Sequence, residues 1–364
     1  MKPIKLAITG DLSITGSFEK KVRNNEEIFS NEIRNVLNKV DYCICNLEGP
    51  VTNKPNYLNP KIKVSSPPNS ISYLAQRNIK IFNLANNHIL DCGEEGFVDT
   101  ITELKKNKCL YFGAWLKDDD INNSIVIENE SDVKLTSFTE KLNHNKNLLG
   151  ISTSKYLNTR NNRKLNWDIL FHHGGEEYSL YPSPTKRNYL KIIQKRIDSD
   201  FIISHHSHTL QGLEKIGKTN IFYSLGNFVF DIPPHLHYHF TDESAILILT
   251  LDKNSWTHEL IPIKIDRENG IVELGTNNII ERFNKISDFK DYNKKWRKDA
   301  YRTLIERIPE INEENKHPLH KKNGFALLFD IKFYKKALKV LFDSNNRSIY
   351  LNAFIYKMFY RKSK

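Results

Sequence analysis

The chain is poor in cysteine, has no long apolar run and lacks the apolar core of an export signal. Its 364 residues include four cysteines, Cys43, Cys45, Cys92 and Cys109, all in or beside apolar segments and none in the Cys-x-x-Cys spacing of a zinc site. They read as reduced core residues. No stretch approaches the roughly 20 apolar residues that cross a bilayer, which excludes an integral membrane protein. After Lys2 and Lys5 the apolar stretch Leu6-Ala7-Ile8 runs at once into Thr9-Gly10-Asp11, too short for a secretory signal, so a cytoplasmic protein is expected. What is present, 39% hydrophobic residues, fills a core. At about 150 residues per domain, the length suggests two domains, or one with an extension.

The net charge of +11 is unevenly placed. Residues 1–280 hold 33 basic and 33 acidic residues, whereas residues 281–364 hold 21 and 10. This shift predicts a boundary near residue 280, with a body at 1–280 and a basic helical extension at 281–364. Residues 331–364 combine nine basic residues and eight aromatics with one acid, Asp343. Phe333, Val340 and Leu341, then Tyr350, Phe354 and Met358, recur near helical spacing among lysines and arginines. Such helices either pack on the body with a solvated basic face or lie against an anionic membrane surface.

The first 230 residues alternate strand-like and helix-like runs, the pattern of an α/β domain. Strands are expected at Ile4 to Ile8, Tyr42 to Leu47, Ile79 to Leu84, Cys109 to Phe112, Trp167 to Phe171, Phe201 to Ile203 and Asn220 to Tyr223. Helical spacing appears over Ile28 to Val40, Phe97 to Leu104 and Tyr189 to Ile197. From Ser244 to Leu251 and His258 to Ile265 the pattern turns to strands without helices between, so a second sheet or its edge is expected there.

Nearly every predicted strand ends in a group that can bind metal or phosphate. Asp11 ends the first, Glu48 follows the second, and Asn87 and His88 follow the third. Later strands lead into His172-His173-Gly174-Gly175-Glu176-Glu177-Tyr178 and His205-His206-Ser207-His208. In open α/β sheets, ligands gather at strand carboxyl ends. Carboxylate, amide oxygen and imidazole together suit manganese, iron or zinc better than calcium. Each piece alone is commonplace, but five unrelated polar loops each starting where a strand stops would be a coincidence.

That order resembles the calcineurin-like metallophosphoesterase superfamily. Asn46-Leu47-Glu48-Gly49-Pro50, Ala85-Asn86-Asn87-His88 with Asp91 and Gly93, His173 to Tyr178, His206-Ser207-His208 and Ser224-Leu225-Gly226-Asn227-Phe228 are similar to its CapA branch of poly-gamma-glutamate capsule biosynthesis proteins, over about Lys5 to Asp231. Ser13 stands where the wider superfamily often has a histidine ligand, and Glu48 where it has an aspartate. The resemblance implies a four-layer α-β-β-α sandwich and two divalent ions. Their ligands would be Asp11, Glu48 (bridging), Asn87, His173, His206 and His208, with His88 left unbound as a general acid.

Four assignments stay open. Asp91 either orients His88 or caps the helix near Glu94. Glu177 either fixes a ligand histidine or forms a surface ion pair. Asn227 either contacts phosphate or caps the Gly226 bend. His235, His237 and His239 share one face if extended, but read best as an exposed loop or edge. The leading expectation is a phosphoesterase acting on a phosphorylated small molecule or polymer, linked by the resemblance to capsule or cell-surface polymer synthesis. A non-catalytic, polymer-binding assembly factor is the alternative. The neutral charge of residues 1–280 argues against a nuclease.

Overall fold

The computed structural model describes residues 3–57, 63–117, 119–140, 149–157, 165–307 and 347–359. Within them the strands are β1 (Ile4–Leu12), β2 (Tyr42–Leu47), β3 (Ile79–Asn83), β4 (Leu110–Phe112), β5 (Ala114–Leu116), β6 (Ser124–Ile127), β7 (Val133–Thr139), β8 (Leu149–Ile151), β9 (Trp167–His173), β10 (Phe201–His205), β11 (Leu210–Ile216), β12 (Thr219–Leu225), β13 (Asn227–Val229), β14 (Glu243–Leu251), β15 (Trp256–Asp266) and β16 (Ile271–Leu274). The helices are α1 (Ser17–Arg23), α2 (Asn31–Asn38), α3 (Ser70–Ala75), α4 (Gly93–Lys106), α5 (Pro184–Arg196), α6 (Asn277–Ile286), α7 (Tyr292–Glu306) and α8 (Arg347–Phe359). Several start on local signals. The Ser183 hydroxyl accepts from Lys186 N ahead of Pro184 in α5, and the Ser30 hydroxyl accepts from Ile33 N in α2.

Two large sheets stack face to face. One runs β16-β15-β14-β1-β2-β3-β4, with β13 paired to β1, and the other runs β11-β12-β10-β9-β7-β6. Side-chain alternation sorts their residues into layers. Leu6, Ile8 and Ile44 meet Ile169, Phe171 and Ile203 between the sheets, while Ala7, Cys43 and Cys45 turn outward under Ile33 of α2 and Phe97 of α4. On the far side Leu170 and Ile202 pack against Leu190 and Ile193 of α5. Each such Leu, Ile or Phe is worth about 1.5–3 kcal/mol on burial. The result is an α-β-β-α sandwich, the architecture expected from the resemblance, and all four cysteines are buried as free thiols.

The segments around Ser244 to Leu251 and His258 to Ile265 form neither a second sheet nor its edge; they are interior strands of the first sheet, with β16 outside them. As β14 and β15 they extend the first sheet, because β14 pairs antiparallel with β1, Ile4 opposite Leu251. The second sheet comes instead from β9, β10 and β12 together with β7, β6 and β11, three strands that the periodicity does not reveal. Beyond them, α6 buries Ile279 and Phe283 in the core between the sheets, and the Ser287 hydroxyl accepts from Leu213 N. Helix α7 packs Trp296 and Ala300 against Ile349 of α8. Of the basic aromatic tail at 331–364, residues 331–346 and 360–364 lie outside the described residues, so its first amphipathic helix is not described. Among the described residues no helix is long and apolar enough to cross a membrane.

Candidate metal centre

Parallel pairing carries the strand ends of both sheets to one rim. In the first sheet Asp11 stands opposite Asn46, and Asn46 opposite Asn83, so Glu48 and Asn87, beyond the ends of β2 and β3, follow Asp11 along the same rim. In the second, His205 stands opposite His173, which brings His206 beside His173. Behind Asp11 the chain passes so close that a Cβ on Gly10 would lie 1.9 Å from Gly226 O. Only glycine fits there. The Asp11 amide donates to that same carbonyl at 2.9 Å.

All six residues proposed as ligands come together, and each is less than 8% exposed. His173 Nε2 lies 2.7 Å from Asn87 Oδ1, 3.1 Å from His206 Nδ1 and 3.8 Å from Glu48 Oε1. Next to this group, His208 lies 3.5 Å from Asp11 Oδ2 and 3.8 Å from Glu48 Oε1. Glu48 is shared, and Glu48, His173 and His206, like Asp11, Glu48 and His208, hold their ligand atoms within 4.8 Å of one another. The 3.8 Å separations of Glu48 Oε1 from His173 Nε2 and His208 Nε2 are too long for hydrogen bonds. They suit donors arranged around a common ion at metal–ligand distances of about 2.0–2.2 Å. Two buried carboxylates facing three imidazoles and an amide oxygen therefore fit a divalent ion of the borderline kind.

The backbone is strained where it presents the histidines. His206 has φ +89° and His208 has φ +56°, conformations that cost a non-glycine residue about 1–3 kcal/mol each and persist only when the surroundings enforce them. Burial, followed by the neighbouring imidazoles, holds the His173 pKa well below the ordinary histidine value. A neutral ring is the form that binds a metal.

His88 approaches from the open side, its side chain 24% exposed and its Nε2 3.9 Å from Glu48 Oε1. Its Nδ1 lies 2.8 Å from Asp91 Oδ2. Asp91 is not the helix cap: Cys92 occupies the position before α4, and no side-chain capping bond forms there. The Asp91 carboxylate is turned toward His88 and Asn56 instead.

Other residues take roles that sequence reasoning assigned differently or missed. Asn227 is fully buried, with Oδ1 2.9 Å from His208 Nδ1 and Nδ2 donating to Thr241 O at 2.9 Å. Its amide is engaged at both ends, by the His208 ring and by Thr241 O. Glu177 stands between the two readings made of it, with Oε1 3.8 Å from His206 Nε2 and Oε2 3.9 Å from Arg307 Nη2. His172 and His205 face away from the centre, His172 between Ser204 and Glu140 and His205 against Thr9 O. The three alternating histidines do not share a face. Residues Pro233–His237 form a 3-10 turn that buries His235, ring centroids 4.6 Å from His208, while His239 points to solvent and pairs with Glu306 at 2.8 Å. Beneath the centre, Ser137 donates to Asn83, Asn83 to Asn46 and Asn46 to Asp11 Oδ1, a buried chain of polar side chains that tethers the carboxylate. Asn46 and Asn83 lie in strands that read as apolar, and two amides inside such runs were the available signal.

The model of the bacterial capsule synthesis protein family PGA_cap matches residues 5–232, more than half of the chain. The chain belongs to that family. Among its relatives, the PGA biosynthesis protein CapA of Bacillus subtilis strain 168 is 27% identical over 311 residues, covering 79% of this chain and 79% of that protein. The capsule biosynthesis protein CapA of Bacillus anthracis is 30% identical over 252 residues, covering 63% of this chain and 60% of that protein. Solved structures similar to this PGA_cap chain include a phosphatase from Mycoplasma pneumoniae (TM-score 0.45, 13% identity, 72% of this chain and 94% of that one). Another is the calcineurin-like phosphoesterase YfkN from Bacillus subtilis (TM-score 0.42, 13% identity, 79% of this chain and 98% of that one). All six clustered donors and His88 fall inside the PGA_cap match.

Proposed function

We propose that the protein is a metal-dependent phosphoesterase that hydrolyses a phosphomonoester or phosphodiester in the synthesis of a bacterial capsule polymer. The observation that carries this reading is the convergence of Asp11, Glu48, Asn87, His173, His206 and His208 on one rim, with His88 held beside them by Asp91. Glu48, Asn87, His173 and His206 would hold one divalent ion, and Asp11, Glu48 and His208 a second, with manganese, iron or zinc the fitting metals. Bound there, such ions supply Lewis acidity toward phosphoryl oxygens and a water that ionises near neutral pH. Asp91, at Nδ1, orients His88 so that its Nε2 faces the centre, where it can hold a proton for the leaving oxygen.

The link to capsule synthesis rests on the family and on the names of the two relatives. Those names describe biosynthesis proteins and favour one second reading, a metal-stabilised factor that binds the polymer or assembles its machinery without hydrolysis. Metal analysis of protein purified without chelator, followed by a panel of phosphomonoesters and phosphodiesters, separates the two. Bound metal with turnover of one ester class supports the enzyme. Bound metal without turnover of any ester supports the binding factor, and no bound metal overturns both.

A further inference from the structure

We infer that α7, which lies outside the PGA_cap match, is part of the metal centre, and that Arg307 at its end is a positioning residue acting on His206 and His208 through Glu177 and Tyr238. The inference rests on the reading of those two histidines as ligands.

The segment that follows His173 hangs between the histidine loop and α7. On one side the Tyr178 amide donates to Ser207 O at 2.8 Å, between His206 and His208. On the other, α7 grips the same segment at four places. Tyr178 O accepts from Arg302 Nη2 at 2.8 Å, Asp299 Oδ2 accepts from Leu180 N at 2.7 Å and from Tyr181 N at 3.1 Å, and the Tyr292 hydroxyl donates to Pro182 O. Tyr178 is thereby held at φ +64°, a strained conformation for a residue with a side chain.

Arg307 completes the support from beneath. Its side chain is 10% exposed, and the guanidinium donates from Nε to the Tyr238 hydroxyl at 3.0 Å and lies 3.9 Å from Glu177 Oε2. The other oxygen of Glu177 faces His206 Nε2 at 3.8 Å, while His206 Nδ1 points to His173. At 3.8 Å the carboxylate makes no hydrogen bond to the ring, but its charge faces the side of His206 away from His173, where it favours the proton on Nε2 and leaves Nδ1 for a metal. Tyr238 stacks on Tyr178 with centroids 3.8 Å apart, and Tyr178 stacks on His208 at 5.8 Å. One cation thus reaches both histidines, one through a carboxylate and the other through two rings. Burying a guanidinium is costly unless its partners repay the lost hydration, and Glu177 and Tyr238 are among those partners.

The test measures Mn²⁺ affinity by calorimetry, with melting temperature alongside, for the wild-type chain, Arg307→Met, Glu177→Gln and the double variant. Arg307→Met should weaken Mn²⁺ binding about 10- to 100-fold, the usual effect of losing an outer support of a metal ligand. Glu177→Gln should weaken it similarly. The double variant should bind no more weakly than Arg307→Met by more than about twofold, because the Glu177 route is one of the two along which Arg307 acts. Arg307→Met with a lowered melting temperature but wild-type Mn²⁺ affinity would reduce Arg307 to a structural role and overturn the inference. So would losses that multiply in the double variant. If Arg307→Met does not fold, Tyr238→Phe, which removes only the hydroxyl, carries the test, with a several-fold loss of affinity expected and none overturning it. A wild-type chain that binds no Mn²⁺, Fe²⁺ or Zn²⁺ instead brings down the metal reading itself.

Discussion

Strands β9 and β10 carry acidic groups at one end and histidines at the other, and burial acts on the two ends with opposite consequences. At the starting end, burial pushes the Asp168 carboxyl up to about 6 against the pull of Lys134, and it raises Asp200 as well. At the finishing end the same loss of water, reinforced by neighbouring imidazoles, drives His173 toward its neutral form. A neutral imidazole is a ready ligand, whereas a protonated carboxyl is not. Desolvation therefore builds a site at one rim and a stability cost at the other. The difference lies in the chemistry placed at each end, since the strands are shared.

The largest effect should come from removing what only the finishing end has. Replacing both His206 and His208 with alanine should reduce bound metal to background by elemental analysis, while the fold, secured by the three apolar layers, persists by circular dichroism. A full metal complement in that variant would move the site elsewhere and dissolve the contrast. His88→Ala should keep its metal yet lose about 100- to 10,000-fold in rate on esters with poor leaving groups, and much less on activated esters. Equal losses on both would make His88 a ligand or a structural residue. Asn227→Leu keeps the bulk but leaves His208 Nδ1 without its partner, while Thr241 O still accepts from Arg267. It should weaken metal binding about 10- to 100-fold and cost about 1–3 kcal/mol in chemical denaturation.

The smallest effect lies at the starting end. The folded-state carboxyl of Asp168 is raised from 3.8 to about 6, so its ionised form opposes folding above pH 6, and stability is regained as pH falls from 6 toward 4. Asp168→Asn should therefore stabilise the protein by ~1–2 kcal/mol at pH 8, with the gain fading through pH 6 and gone near pH 4. A destabilised variant at pH 8 would mean that the ion pair of Asp168 with Lys134, 4.0 Å apart, outweighs the burial cost.

Much of this was legible from local pattern. The strands at Tyr42–Leu47 and Ile79–Asn83 follow their apolar runs closely, and the groups at their ends are those that assemble the rim. What escaped was set by distant partners. Strand β7 carries Ser137 and two threonines among its apolar residues, and its pairing with β9 makes it a central strand despite that mixed pattern. His235 reads as loop, yet it is buried because the 3-10 turn folds it against Phe230 and Tyr178.

The sequence alone determined the alternation that separates the three apolar layers and the identity of the groups that follow each strand, because both depend on side-chain chemistry and a period of two or 3.6 residues. Only the tertiary structure decided that β14 and β15 widen the first sheet, that Asn227 serves His208, and that Arg307 lies behind Glu177. Those outcomes join residues tens to more than a hundred positions apart. They arise when strands distant in sequence pair and helices close over them, a long-range condition that no window of sequence contains.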